Sequence, residues 1–350
     1  MVAISLAEHG LVPEPVLRAG IRLFLRGRLA KEARRYTDRE EALRRFVEQM
    51  AAEELAPSPQ AANQQHYEVP TEFFQLVLGR HLKYSSGLWE PDTASLDDAE
   101  TAMLAVTCAR AELHDGQAVL ELGCGWGSLS LFMAARYPRS RFVAVSNSRT
   151  QGAYVRAQAA ECGLENLEVR TVDMNVFTPG DRSRFDRIVS VEMFEHMRNW
   201  PELLRRVGGW LAPSGRLFVH VFAHRRFAYP FEVDGDRDWM ARHFFTGGIM
   251  PAHDLIGRIP GPLEVEESWL MPGTHYARTA EAWIERLDAH RSAALAVLRR
   301  DLPAGRARVQ LERWRLFFLA CAELFGFREG TEWVVSHHRL RPRQGEEAGS

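Results

Sequence analysis

The stretch from Val119 to Gly127 reads Val-Leu-Glu-Leu-Gly-Cys-Gly-Trp-Gly. A short apolar run that ends in alternating glycines has to pass from strand to turn at that point. Gln117 to Leu122 has the length and composition of a buried parallel strand, and Ser128 to Tyr137 has helical spacing. The glycines therefore sit on a strand-to-helix turn. Without Cβ atoms, Gly123, Gly125 and Gly127 let the backbone approach a ligand closely and leave helix N-terminal N–H groups aimed at it. The spacing is G-x-G-x-G, not the dinucleotide G-x-G-x-x-G, and the next strand ends in Ser146-Asn147-Ser148 without a ribose-binding carboxylate. An acid, Glu121, instead lies two positions before the first glycine. A nicotinamide or flavin enzyme is the less favoured reading of such a turn.

Beyond the turn the pattern alternates. Strands are expected at Arg141 to Ser146, Leu167 to Val172, Phe185 to Val191 and Gly215 to Phe222, with helices at Arg149 to Cys162 and Pro201 to Leu211. Alternation of this kind predicts a doubly wound α/β sheet with parallel strands. Ligands of such sheets bind at the carboxyl ends of the strands, a rule that gathers Gly123, Gly125, Ser146, Asn147, Asp173, Glu192 and His220 at one rim. Two more strands are expected at Glu264 to Leu270 and Glu332 to Arg339, with helices near Thr279 to Arg300 and Ala307 to Gly326 between them. His224 to Gly261 breaks the periodicity with many aromatics and is too long for an ordinary connection, which suits a lid or substrate wall.

Residues 1–60 read as an N-terminal helical region and 61–341 as the main domain, with cap insertions at about 224–261 and 278–327. The polar tail 342–350 is expected to be disordered. The N-terminal helix carries Leu17, Ile21, Phe24, Leu25 and Leu29 among Arg18, Arg22, Arg26, Arg28 and Lys31. A basic amphipathic helix can lie on a membrane. Intermixed Glu32, Asp38, Glu40 and Glu41 favour instead a docked appendage with its charges in water. Glu54 to Gln65, with Pro57 and Pro59, reads as a linker.

The net charge of −2 over 350 residues provides no field that would draw the chain to nucleic acid or to an anionic membrane. Small neutral or weakly cationic substrates fit better, and membrane contact is not expected. Four cysteines without C-x-x-C spacing argue against structural zinc and against a disulfide scaffold, so a reducing cytoplasm is the expected setting. No run of 18 apolar residues occurs.

Val191 to Met197 reads Val-Glu-Met-Phe-Glu-His-Met, which puts two carboxylates and an imidazole just past a strand end. Such groups after an apolar run are costly unless solvated or paired. Capping and salt bridging would explain them alone; at the rim of the glycine turn, a catalytic role gains.

The glycine turn with Glu121 resembles motif I of the S-adenosylmethionine-dependent methyltransferases. Together with His66-Tyr67, Tyr84-Ser85, Gln151 and Phe194-Glu195-His196, it resembles the cyclopropane fatty acid synthase superfamily of methyltransferases. Glu192 to Met197, Phe244 to Gly248, Trp314 to Phe318 and Ala322 to Gly326 are similar to its coclaurine N-methyltransferase branch. The resemblance covers about residues 60 to 340. It implies a Rossmann-like class I methyltransferase sheet of seven strands, the last antiparallel, with a helical cap.

It further implies that Tyr84, Ser85, Glu121, Gly123, Gly125, Ser146, Asn147, Gln151, Asp173 and Met174 bind S-adenosyl-L-methionine and release S-adenosyl-L-homocysteine. Glu192, Glu195, His196 and His220 match the positions lining the methyl-transfer pocket. The acceptor would be a secondary or tertiary amine of a small tetrahydroisoquinoline-like molecule, with Glu195 and His196 taking its proton. Trp89, Phe222, Phe244, Tyr276, Trp314, Phe318 and Trp333 are candidates to wall an aromatic amine by stacking and cation–π contact, although core packing explains each singly. A homodimer is compatible with all of this.

The rival within the superfamily is a cyclopropane-fatty-acyl-phospholipid synthase or another fatty acyl methyltransferase. Those enzymes hold a bicarbonate base with a cysteine and a tyrosine besides the Glu and His. Here Ser86 falls at the cysteine, and Leu316 and Phe317 at the tyrosine, so the base site looks incomplete. Ring closure on an alkene leaves a carbocation that needs a base, whereas amine methylation asks for less. His337-His338 resembles a metal pair, but neighbours on a strand face opposite sides, so it is expected to be structural, and no metal is expected.

Overall fold

The structure is a computed structural model that describes residues 2–57, 69–180, 184–232 and 239–343. His66, Tyr67, most of the Glu54 to Gln65 linker and the residues after 343 lie outside them. The apolar runs become the strands β1 (Ala118–Leu122), β2 (Arg141–Ser146), β3 (Leu167–Thr171), β4 (Phe185–Val191), β5 (Leu211–His224), β6 (Leu263–Met271) and β7 (Trp333–Pro342). They pair in the order β3-β2-β1-β4-β5-β7-β6. The first five are parallel, and β7 runs antiparallel to both of its neighbours. The order reverses between β1 and β4, and a crevice opens at such a switch point.

Pro342 corrects the expected start of the tail. It closes β7 opposite Leu263, and the Arg343 N–H donates to the Pro262 carbonyl at 2.9 Å, so pairing with β6 holds the chain in order to that point.

The cap between β6 and β7 consists of helices Thr274–Ala289, Arg291–Leu298 and Ala304–Gly326. The helix expected from Thr279 starts five residues earlier and breaks at His290, whose ψ of 19° leaves the helical range. Its start is fixed by backbone contact. A Cβ on Gly273 would fall inside the van der Waals radii of the Trp333 and Phe325 carbonyl oxygens, and the Gly273 N–H donates to the Gly330 carbonyl at 2.9 Å. Gly273→Ala is therefore expected to destabilise the fold by about 3 kcal/mol or more, measured by urea unfolding, because neither carbonyl can move without breaking β7 or the last turn of Ala304–Gly326.

Helix Glu14–Arg35 docks on this cap. Part of its charge is paired with the cap, while Arg26 and Lys31 are exposed as expected. Arg18 bonds Glu281 at 2.6 Å and Glu323 at 3.0 Å, Arg22 bonds Glu323, and Arg315 reaches back to Glu14 at 2.6 Å. Phe24, expected on the docked face, is 56% exposed, as is neighbouring Leu23 at 70%, while Leu25 is buried. The N-terminal region then reaches the crevice. The Asn175 side chain bonds both the N–H and the carbonyl of Ala56, and the Arg198 N–H donates to Leu55.

Candidate active site

A cavity at the carboxyl ends of β1, β2 and β4 is lined by all ten residues expected to hold the cofactor: Tyr84, Ser85, Glu121, Gly123, Gly125, Ser146, Asn147, Gln151, Asp173 and Met174. The N–H groups of Gly123 and Cys124 both donate to the Val145 carbonyl, which pins the turn against β2. Gly125 has φ +53° and only open space where a Cβ would stand, so the backbone itself forms the cavity floor. Ser146 Oγ donates to Gln151 Oε1 at 3.0 Å and aims the amide inward, leaving Gln151 Nε2 a buried donor with no partner among the described residues. A stranded donor beside bare backbone fits a ligand rich in hydroxyl acceptors, such as a ribose. Glu121 is turned towards the Ser130 hydroxyl, and burial pushes its carboxyl up to about 7. Asp173 accepts from the Asn175 N–H at 2.8 Å.

Lys83 is a cavity residue that the sequence reading missed. It is buried, its Nζ donates to Ser85 Oγ and to the Ser86 carbonyl, and burial pushes its pKa down to about 8 against the pull of Glu192 and Glu100. A lysine in the run His-Leu-Lys-Tyr-Ser-Ser carries no periodic signal to mark it as buried.

The acids and histidines divide into two groups. Glu192 and His196 face the cavity; Glu195 and His220 stand behind it, fully buried. Glu192 adopts φ +48°, a conformation rare outside glycine, and its carboxylate collects three donors. These are the Ser86 N–H at 3.1 Å, His220 Nε2 at 3.2 Å and the Tyr276 hydroxyl at 2.6 Å. Burial pushes its pKa up, and Lys83, Tyr276 and Ser86 hold it back. Glu195 accepts from the Phe222 N–H at 2.7 Å, and among the described residues its Oε2 is buried without a partner. Burial and the charge of Glu192 push the Glu195 carboxyl well above the carboxylate range. Of the pair, Glu192 is the carboxylate and Glu195 the protonated acid. Burial pushes His196 down to about 4, so its imidazole is neutral, and it stacks on Phe245 at 5.7 Å.

Tyr276 overturns one expectation. A tyrosine hydroxyl does stand with Glu192 and His220, and it comes from the first turn of Thr274–Ala289. Leu316 and Phe317 play no part in it, and Phe317 stacks instead on Phe244 at 4.1 Å. Only Ser86 then departs from the pattern of a bicarbonate site. His337 and His338 face opposite sides as expected, His337 meeting His220 and His338 meeting Ser268. Among the described residues no three His, Cys, Asp or Glu side chains converge to hold a metal.

Five of the seven aromatic candidates belong to one cluster. From His196 the contacts run Phe245, Phe222, Phe325, Tyr276, Trp283, Tyr84, Trp314, Phe244, Phe317 and back to Phe245, a closed circuit with centroids 4.1 to 6.3 Å apart. Phe318 backs Trp283 and Trp314. The other two candidates lie elsewhere. The Trp89 indole donates to Thr279 and lies under Arg278, tying its loop to the cap. Trp333 starts β7, bonds the Tyr229 hydroxyl and packs on His224 and Phe327. Both are large apolar rings with a local partner for the indole N–H, which is core behaviour.

A family model described as mycolic acid cyclopropane synthetase matches residues 56–334. The chain belongs to that family. Within the mycolic acid cyclopropane synthetase family it is similar to (S)-coclaurine N-methyltransferase of Thalictrum flavum subsp. glaucum, 35% identical over 94% of this chain and 92% of that one. It is also similar to (S)-coclaurine N-methyltransferase of Papaver somniferum, 31% identical over 94% and 95%. The cyclopropane-fatty-acyl-phospholipid synthase of Escherichia coli K12 is 31% identical over 63% of this chain and 55% of its own. Among solved structures, a coclaurine N-methyltransferase bound to N-methylheliamine and S-adenosylhomocysteine superposes with TM-score 0.93 at 33% identity, over 97% of this chain and 98% of that one. The chain is an S-adenosylmethionine-dependent methyltransferase, and the cavity with its stranded Gln151 amide is suited to that cofactor.

Proposed function

We propose that this methyltransferase transfers a methyl group to the secondary or tertiary amine nitrogen of a small aromatic molecule of the tetrahydroisoquinoline type. The observation that carries the reading is Glu195: its Oε1 accepts from the N–H of Phe222, a member of the closed aromatic circuit, and its Oε2 is buried without a partner among the described residues. A ring system with a basic nitrogen supplies what this wall lacks, an apolar face for the rings and a hydrogen-bonding nitrogen for the acid. Likeness to coclaurine N-methyltransferases along almost the whole chain points the same way.

Bound S-adenosylmethionine supplies an electrophilic methyl on a sulfonium. The chain's own residues must present a nitrogen with a free lone pair, since amines of this type arrive largely as ammonium ions. Glu195 is protonated in the empty site because it is buried next to the Glu192 charge. A cation beside it reverses that balance, so as the ammonium binds, Glu195 releases its own proton to solvent and then takes the one on nitrogen, leaving neutral amine and neutral acid. Glu192, held by three donors, stays ionised and faces the positive charge that develops on nitrogen. His196, at about 4, is too weak a base to keep a proton and serves as a neutral acceptor orienting the N–H. Holding nitrogen in line contributes on the order of 7 to 11 kcal/mol at best.

The test follows labelled methyl from S-adenosylmethionine into a panel of tetrahydroisoquinolines and, in parallel, into vesicles of unsaturated phospholipid. Label in the amines with none in lipid is the expected result. Label in lipid alone would overturn the amine reading and favour the fatty acyl chemistry to which Tyr276, Glu192 and His220 also lend themselves.

A further inference from the structure

We propose that Arg110 and His337 are positioning residues of the active site, which act through His220 to fix the direction of the hydrogen bonds into Glu192. Only the kinetic part of the test rests on the amine-methylation reading.

His220 of β5 and His337 of β7 are direct cross-strand partners, 117 residues apart in sequence. Their rings lie 4.5 Å apart, and His337 Nε2 is 2.9 Å from His220 Nδ1. On the far side Arg110, at the end of helix Leu96–Arg110, places Nη1 2.7 Å from His337 Nδ1. On the near side His220 Nε2 is 3.2 Å from Glu192 Oε1. An imidazole can run such a chain in either direction, but a guanidinium only donates. Arg110 therefore makes His337 Nδ1 an acceptor, which places the proton on His337 Nε2. That N–H makes His220 Nδ1 an acceptor in turn, and the His220 proton is left on Nε2, aimed at Glu192.

The member with no choice sets the sense of every bond in the line. Burial pushes both imidazoles well below their ordinary range, and Arg110 adds to it, so each is neutral and exists as a single tautomer. Arg110 is itself held over the Trp269 ring at 4.9 Å and near Met271 Sδ, and Phe218 packs edge-on against His337 at 5.1 Å. With the tautomer fixed, Glu192 faces donors only, which keeps it ionised. Were His220 to carry its proton on Nδ1, a lone pair would face Glu192 Oε1, and the carboxylate would either turn away or take up a proton.

The test compares His337→Leu and His337→Gln in the full-length protein. A glutamine amide accepts from Arg110 with its oxygen and donates to His220 with its nitrogen, whereas leucine does neither. In protein labelled with 15N-histidine, His220 is expected as the Nε2–H tautomer in the unaltered chain and in His337→Gln, and as a mixture in His337→Leu. kcat is expected to fall by about 10- to 100-fold in His337→Leu and to recover most of that in His337→Gln, with affinity for S-adenosylmethionine unchanged. Retention of the single tautomer in His337→Leu, or equal kcat in the two variants, would overturn the proposal. So would parallel loss of cofactor affinity and kcat. If His337→Leu does not fold, Arg110→Gln serves instead, since an amide at 110 both accepts and donates and no longer dictates the direction. A wild-type protein inactive on every amine would remove the function reading, while the tautomer measurement would still decide this one.

Discussion

Glu195→Gln is expected to lower kcat for amine methylation by about 10²- to 10⁴-fold and to leave binding of S-adenosylmethionine unchanged. The substitution is nearly isosteric. The amide oxygen still accepts from the Phe222 N–H at 2.7 Å, so the β5 backbone loses nothing. What disappears is the buried Glu195 oxygen that can take a proton, replaced by an NH₂ that can only donate. Glu195 does not line the cofactor cavity, which is why calorimetric affinity for the cofactor should hold while turnover falls. The pH profile separates proton transfer from a packing defect. In the wild type the rate should rise with pH through the elevated pKa of Glu195, because burial and Glu192 keep the acid protonated below it. In Glu195→Gln that limb should vanish, leaving the ionisation of the amine alone. Equal turnover of the two proteins at every pH would end the assignment.

The part of this site that the sequence reveals is the part built from neighbouring residues. The turn at Gly123 to Gly127, the strands before it and after it, and Ser146 with Gln151 are local patterns, and all of them arrive at one cavity. The acids were legible as a group but not in their roles. Whether Glu192 or Glu195 keeps its charge depends on donors from Ser86, His220 and Tyr276, which reach it from 28 to 106 residues away. The sequence places Tyr276 in the aromatic wall, and the resemblance puts the tyrosine of the acid cluster at 316 or 317. A helix periodicity identifies a buried face but not which carboxylate that face meets. Trp89 and Trp333 were misplaced for the same reason, since a large ring in a loop or at a strand start looks alike whether it walls a pocket or fills the core. The N-terminal arginines illustrate the converse case. Their acidic partners Glu281 and Glu323 lie more than 250 residues on, so a docked helix is legible in the sequence but the pairing of Arg18 and Arg22 with the cap is not.

Urea unfolding across pH is expected to show a stability that falls as pH drops below about 6.5, and more steeply, by about 3 kcal/mol or more per unit, below about 4.5. Burial pushes His224 and His338 down to about 3 from an ordinary 6.5. Below 6.5 the unfolded chain therefore binds two protons that the folded one refuses, and each contributes about 1.4 kcal/mol of lost stability per unit of falling pH. Burial also pushes Glu100 and Glu121 up to about 7 from 4.5. Between 4.5 and 7 the folded chain holds two protons that the unfolded one lacks, which favours folding as pH falls by the same amount per group. These four offset one another until the unfolded carboxyls are protonated too; below about 4.5 the histidine contribution stands unopposed, and Glu202, held down to about 2 by Arg205 and Arg206, adds to it. His196, at about 4, and His220, His253, His275 and His337 join the first set and Glu195 the second, so the histidines outweigh the acids above 4.5 as well. Glu121→Gln removes one member of the opposing set and should steepen the loss between 4.5 and 6.5 by about 1.4 kcal/mol per unit. A Glu121→Gln protein that loses stability no faster than the wild type over that range would mean that Glu121 is ionised in the folded chain. The acid behind the glycine turn would then be a carboxylate facing the cofactor and not a neutral partner of Ser130.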